Sequence, residues 1–472
     1  MEYKIFVAGE FKTTQNQLNV YNPYNKELIA NTYLAGVDEL HEAIEKAEKV
    51  QEELKNMPSH KKYTILMQIA DALKVKREYL AKILAMEAGK PLRYALGEID
   101  RAAQTFLVAA EESKRLPKEY LSLDWTPAGE GKQALVKYFP IGLVAGIAPF
   151  NFPLNLAVHK LAPAIAAGNP IILKPARATP LSVLELAAII SETSLPKGAV
   201  SILPMDRVSG NLLVTDNRFK LLSFTGSPSV GWRMKEQAGK KKVLLELGGN
   251  AGVIVSKSAT IENAVAKCLA GSFAYSGQVC IHVQRIFVHQ TIFDEFTNKL
   301  VEKTKLLKQG APELPETEIS AMIDQENAER VENWVNEAVE NGAKILCGGK
   351  RQATFFEPTI LTDTKPDMKV CALEIFGPVV SVEKFDVFEE AIRFINDSEY
   401  GLQAGIFTNQ INEMNFAFNN LEVGGVIIND VPTFRVDHMP YGGVKNSGLG
   451  REGVKYAIQE MMEARLLVTN QD

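Results

Sequence analysis

The sequence predicts an α/β protein of two parallel α/β domains with a protruding hairpin, and three observations carry that reading. At 472 residues the chain exceeds what one hydrophobic core comfortably serves, so two large domains are expected. From Pro140 onward short apolar runs alternate with helical patterns, the rhythm of a parallel sheet covered on both faces. Ahead of that stretch, "LSLDWTPAGEGKQALVKYF" sets two extended runs around a Pro/Gly turn and predicts a hairpin over 121–140.

The elements follow in order. Between Val37 and about Leu116, apolar residues recur at three and four, as in "LHEAIEKAEKV" and "YTILMQIADALKV", which predicts two or three long amphipathic helices. After the hairpin come the strand "GLVAGIAP", the helix "LNLAVHKLAPAIAAG" ending at Gly168, the strand "PIILKP" and the helix "TPLSVLELAAIISETS". The strands "AVSILP" and "KLLSFTG", a helix from about Pro228 to Ala238, and the strand "KVLLELGG" complete this set. A second alternating stretch runs from Val253 to about Asp430, with the helix "NAVAKCLAGSFAYSG", the strand "RIFVH" and the helix "TIFDEFTNKLVEKTK". An open parallel sheet takes its ligand beyond the carboxyl ends of its strands. Four motifs fall at such ends, "PFNFP" (149–153), "LKPAR" (173–177), "FTGS" (224–227) and "LELGG" (245–249), and together they predict a cleft.

Composition narrows the partners. The net charge of −5 is spread along the chain and the longest basic run is Lys240 to Lys242, which argues against a nucleic-acid surface. No apolar stretch approaches the ~20 residues of a membrane span, and "MEYKIFVAGEF" lacks the pattern of a signal peptide, so no membrane partner and a cytoplasmic location are expected. Four scattered cysteines without a CxxC read as free thiols, and six histidines without an HxxxH pair give no metal site. Gly448, Gly450 and Gly453 spell GxGxxG, but they follow turn residues instead of a strand, so they do not read as a dinucleotide fingerprint.

The four strand-end motifs, followed by "GQVC", "EIFGP" and "PYGGVKNSGLGRE", resemble the NAD(P)-dependent aldehyde dehydrogenase superfamily, of its non-acylating, hydrolytic type. The resemblance runs from "NPYNKELI" to "GLGRE". It implies an aldehyde dehydrogenase-like fold with a coenzyme-binding domain at 1–120 and 141–248, a catalytic domain at 249–446, and an oligomerisation element at 121–140 and 447–472. In the last, the hairpin is expected to meet the "EARLLVT" region and to join a homodimer or homotetramer.

Oxidising an aldehyde needs a nucleophile, because hydride leaves a tetrahedral adduct more readily than a bare carbonyl. Cys280 matches the family's catalytic cysteine and follows the helix breaker Gly277, in what reads as a polar loop where a thiol is exposed and activated. Asn151 matches the oxyanion amide, and capping the helix near Pro153 is its alternative. Glu246, between apolar neighbours that would raise its pKa, matches the base that activates water on the thioester; a structural partner is its alternative.

For the cofactor, the resemblance assigns Lys174 to the adenosine ribose, Glu374 to the nicotinamide ribose with Phe376 behind it, and Gly226 and Ser227 to the diphosphate at a helix N-terminus. Phe150, Val230 and Leu247 complete that set. Arg177 stands where many NAD-preferring relatives carry a glutamate, so NADP is expected ahead of NAD, with use of both as the alternative.

For the substrate, Phe152, Leu156 and His159 share one helix face leading from Asn151, and "PTFRVDHMPYGG" brings Arg435 and Tyr441 as the other wall. His159 and Arg435 are expected to grip an anionic tail, which predicts a short semialdehyde or a phosphono-, phospho- or sulfo-aldehyde; a surface arginine and a core histidine are the alternative. Two rival functions stand beside this one, acylation of coenzyme A and non-catalytic reuse of the scaffold. Acylating relatives lack a glutamate at the place of Glu246, and a scaffold needs none of Cys280, Glu246 and Asn151 together.

Overall fold

A computed structural model describes residues 1–470; Gln471 and Asp472, with which the expected C-terminal element ends, lie outside the described residues. The N-terminal helical stretch holds four helices where the periodicity predicts two or three: α1 (Val37–Asn56), α2 (Ser59–Val75), α3 (Arg77–Ala88) and α4 (Leu92–Ser113). Pro58, the single residue Lys76 and the left-handed Gly89 (φ 62°) break the chain without interrupting the apolar spacing.

The first large sheet has five parallel strands at its centre, in the spatial order 200–202, 171–174, 144–147, 221–225, 242–246. Residues 5–7 and 10–12 extend one edge, and Gly448–Leu449 pairs antiparallel at the other. The GxGxxG stretch is therefore an edge piece leading through Gly450 (φ 85°) into the helix Val454–Glu460, with no βαβ unit. Because the central strands run in one direction, the loops carrying Asn151, Lys174, Gly226 and Glu246 emerge side by side.

The second sheet, in the order 344–347, 359–362, 379–385, 283–289, 251–255, 403–407, 425–428, is parallel except for its first strand. Its strand at 251–255 follows Gly249 and Asn250, so the first sheet passes into the second just beyond Glu246. A third, antiparallel sheet joins Lys118–Ser122, Lys132–Pro140 and Met462–Asn470, with Glu463 opposite Phe139 and Thr469 opposite Gln133. Tyr120, Leu466, Leu467 and Val468 are exposed on it. Among the described residues no helix is long and apolar enough to cross a membrane, and no group of three His, Cys, Asp or Glu is placed to hold a metal ion.

Helix α5 (Pro153–Ala167) is buried along its whole length between the first sheet and α2, α4 and the helix at 454–460. No residue of its own caps its first turn. The carboxylate of Glu98, from α4, accepts the N–H groups of Leu154 (3.0 Å) and Asn155 (3.1 Å) instead. Glu87 serves α6 (Leu181–Ser191) in the same way, accepting from Leu181 (2.7 Å) and Ser182 (3.0 Å). Glu98 is balanced by Lys90, fully buried, whose ammonium also donates to the carbonyl of Asn151 at 2.6 Å.

Removing one member of a buried ion pair strands the other, at a cost of about 3–5 kcal/mol. Lys90→Met is expected to lower the first thermal unfolding transition markedly, read by calorimetry, whereas Lys55→Met, which loses only an exposed pair with Glu52, should leave it within about 0.5 kcal/mol.

Candidate active site

Asn151 precedes α5 and is 4% exposed. Its Nδ2 donates to the carbonyl of Gln278 at 3.0 Å and its Oδ1 accepts from Phe152 N–H, so it caps no helical turn; Glu98 has that role. The amide of Asn151 is thereby tied to the loop that carries Cys280. That loop is itself unusual, since Tyr275 (φ 50°), Ser276 (φ 52°) and Gly277 (φ 68°) are all left-handed. A side chain at Gly277 would collide with the carbonyl of Gly377, 2.1 Å from its Cβ position, so only glycine fits.

The polar setting expected for Cys280 is not what the structure has. The thiol is half-buried among Phe152, Val279, Ile281, Leu402 and Tyr441, and burial pushes it up to about 11. Its Sγ lies 3.2 Å from the Tyr441 hydroxyl. Its chain neighbours Val279 and Ile281 supply part of this apolar setting, and Phe152, Leu402 and Tyr441 arrive from elsewhere in the sequence.

Glu246 ends its strand, 6% exposed, with Oε2 unpartnered among the described residues. Burial first, then the nearby Glu452, pushes its carboxyl well above the usual range, against the pull of Arg435 and Lys160. Lys160, fully buried on α5, gives its ammonium three acceptors: Thr225 Oγ1 (2.8 Å), Ser223 Oγ (3.1 Å) and Glu452 Oε1 (3.4 Å).

Arg435 is buried, not a surface residue. It donates to Glu452 at 2.9 Å and lies over the Tyr441 ring, 3.7 Å from its centroid, with Nε unpartnered among the described residues. His159 lies beside it, 3.5 Å away, but is not open to the direct grip on a substrate that the sequence suggests: the ring is 1% exposed and its Nε2 is engaged by Asp437 at 2.8 Å. Asp437 also accepts from Arg101 at 2.7 Å, and both partners hold it well below the usual carboxylate range. Lys90, Glu98, Arg101, Lys160, Asp437 and Glu452 escaped the sequence reading. Glu98 and Arg101, at i and i+3 on α4, were the available signal.

A nicotinamide dinucleotide fits the other end of the cleft. The helix Pro228–Gln237 begins at exposed Ser227 with no side chain on its first N–H groups, and such an end favours a diphosphate. A Cβ at Gly226 would stand 2.5 Å from the Phe224 ring, which leaves the backbone bare there. Val230 is half-buried on this helix, while Leu247 is 2% exposed and fills the space beside Gly231, so it supports the helix from beneath instead of presenting its side chain. Lys174 is half-buried against Gly210, and Arg177 is exposed. Glu374 accepts from Gly249 N–H at 3.0 Å, and burial raises its carboxyl to about 7. Phe376, left-handed at φ 46°, sets its ring edge-on to Phe150 at 5.9 Å.

The chain matches the Aldehyde dehydrogenase family over residues 11–467. It is 47% identical to a 3-sulfolactaldehyde dehydrogenase of Priestia aryabhattai, across 99% of this chain and 98% of that one. Among solved structures, aldehyde dehydrogenase 21 of Physcomitrella patens, in complex with its reaction product succinate, superposes with a TM-score of 0.98 at 43% identity, covering 100% and 98% of the two chains. The glyceraldehyde-3-phosphate dehydrogenase GapN of Methanocaldococcus jannaschii, complexed with NADP, gives 0.93 at 42% identity, covering 97% and 100%. The chain belongs to the aldehyde dehydrogenase family and is an enzyme acting on aldehydes.

Glu374 supplies a pH test. Its folded pKa is raised to about 7 from 4.5, so below pH 7 it is protonated and a poor acceptor for a ribose hydroxyl, and above pH 7 it is ionised. Cofactor affinity measured by calorimetry should weaken up to about tenfold per unit as pH falls from 7 to 6. That dependence should vanish in Glu374→Gln.

Proposed function

We propose that this enzyme oxidises a short aldehyde with an anionic tail to the carboxylic acid, with NADP or NAD as acceptor, and releases the acid by hydrolysis. The observation that carries the proposal is the charge of the buried cluster. Lys160 and Arg435 are buried and share Glu452, which is held ionised, while Asp437 is held ionised beside His159 and the half-buried Arg101, and burial raises the carboxyl of Glu246. Burial lowers the pKa of Lys160, against which Glu452 and the hydroxyls of Thr225 and Ser223, as acceptors, favour the charged ammonium. Two buried cations on one carboxylate, with Arg435 Nε unpartnered among the described residues, leave an excess of positive charge that an incoming anion would balance. The sulfonate of the Priestia relative's named substrate and the second carboxylate of succinate, in the moss enzyme, are anions of this kind.

Cys280 Sγ forms a bond to the aldehyde carbon, and the carbonyl π pair moves onto oxygen. The second N–H of the Asn151 amide, not used by Gln278, and the backbone N–H of Cys280 receive that oxyanion. The nicotinamide, when bound, accepts the hydride that converts the adduct to a thioester. Glu246 then takes a proton from the attacking water, in the fraction of molecules where it is ionised, and that fraction grows with pH. Its carboxylate is the reason for hydrolysis in place of transfer to coenzyme A. The first sheet would carry the cofactor, the second the cysteine, and the exposed apolar strands of the third would join copies of the chain.

Two measurements test this. Across aldehydes of equal length, kcat/KM should favour a carboxylate, sulfonate or phosphate tail over a neutral one by at least about tenfold, and Arg435→Ala should raise KM for the charged members while sparing the neutral ones. Equal values in the native enzyme would reject the anionic substrate. For the cofactor, Arg177 and Lys174 placed near a 2′-phosphate would contribute roughly tenfold to a hundredfold in favour of NADP. Arg177→Glu should reverse the preference, and native binding of NAD tenfold tighter than NADP would dismiss Arg177 from that role.

A further inference from the structure

We infer that the Tyr441 hydroxyl is a catalytic group that donates a hydrogen bond to the Cys280 thiolate and steadies it for attack. The inference rests on Cys280 being the nucleophile. The phenol oxygen is 3.2 Å from Sγ, and among the described residues the sulfur is its one hydrogen-bond partner. Tyr441 is 3% exposed, and a buried tyrosine hydroxyl is costly when unpaired. Phe152, Val279, Ile281 and Leu402 pack with Cys280 and Tyr441 in one apolar cluster. A half-buried thiolate there has lost part of its water, and the tyrosine O–H is the side-chain donor within hydrogen-bond distance.

Direction follows from chemistry. A thiol is a weak donor, whereas a thiolate is a strong acceptor. The phenol holds its proton firmly in this site, so it is the donor once Cys280 ionises. Arg435, 3.7 Å from the ring centroid, draws electron density from the ring and strengthens the O–H as a donor. Position is fixed as well: Tyr441 N–H donates to the Glu452 carbonyl at 3.1 Å and Glu452 N–H donates to the Tyr441 carbonyl. The side chain of Glu452 meanwhile holds Arg435. One residue thus sets both the tyrosine and the cation above it.

The proton balance is simple. The thiol loses its proton to solvent in a prior equilibrium, and Tyr441 keeps its own throughout. On attack, the sulfur lone pair becomes the S–C bond and the hydrogen bond is released. When hydrolysis of the thioester breaks that S–C bond, the pair returns to sulfur and the same O–H receives it. The group therefore acts once at each end of the cycle.

Tyr441→Phe keeps the ring under Arg435 and removes only the hydroxyl. The pH profile of iodoacetamide labelling at Cys280, with Cys280→Ala as the blank for Cys268, Cys347 and Cys371, reads thiolate formation directly. Loss of a hydrogen bond to a charged group should move the midpoint up by about one to two pH units. The rate of the first turnover near neutral pH should fall about tenfold to a hundredfold and recover as pH rises. An unchanged midpoint and an unchanged first-turnover rate would overturn the inference, as would a midpoint that moves down, which would make the tyrosine an acceptor from the thiol. If Cys280→Ala still turns over, the nucleophile is wrong; if it is inactive while Tyr441→Phe matches the native enzyme, only the role of Tyr441 fails.

Discussion

The first turn of α5 has to be satisfied without water, and much of the active site is arranged around how this is done. A buried helix start leaves backbone N–H groups without acceptors, each costing about 1–3 kcal/mol if unmet. Glu98 takes two of them, and its own charge then requires a cation in the same dry space. Lys90 supplies it, and the ammonium has further reach: it holds the Asn151 carbonyl and lies over the rings of Phe152 (3.8 Å) and Tyr275 (4.4 Å). One ion pair therefore positions Asn151, the ring of Phe152 and the root of the loop that carries Cys280.

A second buried assembly sits beyond it, and here the charges are coupled to the chemistry. Arg435 touches Glu452 and Tyr441, Tyr441 touches Cys280, and Glu452 raises the carboxyl of Glu246. Whatever alters the charge near Arg435 is felt at both the nucleophile and the base. An anionic substrate tail beside Arg435 would offset part of its pull on Glu246 and raise that carboxyl further.

The sequence made the frame legible where the physics is local. Strands at 144–147, 171–174, 221–225 and 242–246 are short apolar runs closed by Pro or Gly turns, and parallel packing then forces their loops onto one edge. What was illegible is tertiary. Apolar spacing continues across the break at Lys76 between α2 and α3, so periodicity predicts two or three helices where there are four. Cys280 is flanked by Val279 and Ile281 in the chain, but Phe152, Leu402 and Tyr441 reach it from distant positions. His159 was read as a substrate contact because its helix face was right; Asp437, 278 residues away, engages it instead. Charge partners at such separations leave no periodicity to read.

The strained loop before Cys280 shows why these two assemblies had to meet. Two successive non-glycine residues in the left-handed region, Tyr275 and Ser276, cost on the order of 1–3 kcal/mol each, and they persist only where contacts over-determine them. Tyr275 gives its hydroxyl to the Ala88 carbonyl at 2.9 Å, and Ser276 gives its own to the Ser320 carbonyl at 2.8 Å. The first of these contacts lies two residues before Lys90, whose ammonium also covers the Tyr275 ring. Gln278 extends the tie, accepting from Asn151 through its carbonyl and from Ile323 N–H through its side chain at 2.9 Å. A loop free to relax would carry Sγ away from Asn151 and Tyr441 alike. Stability taken from the buried ion pair is thus used to hold a strained backbone, and the strained backbone holds the sulfur where one donor can meet the thiolate and another the oxyanion.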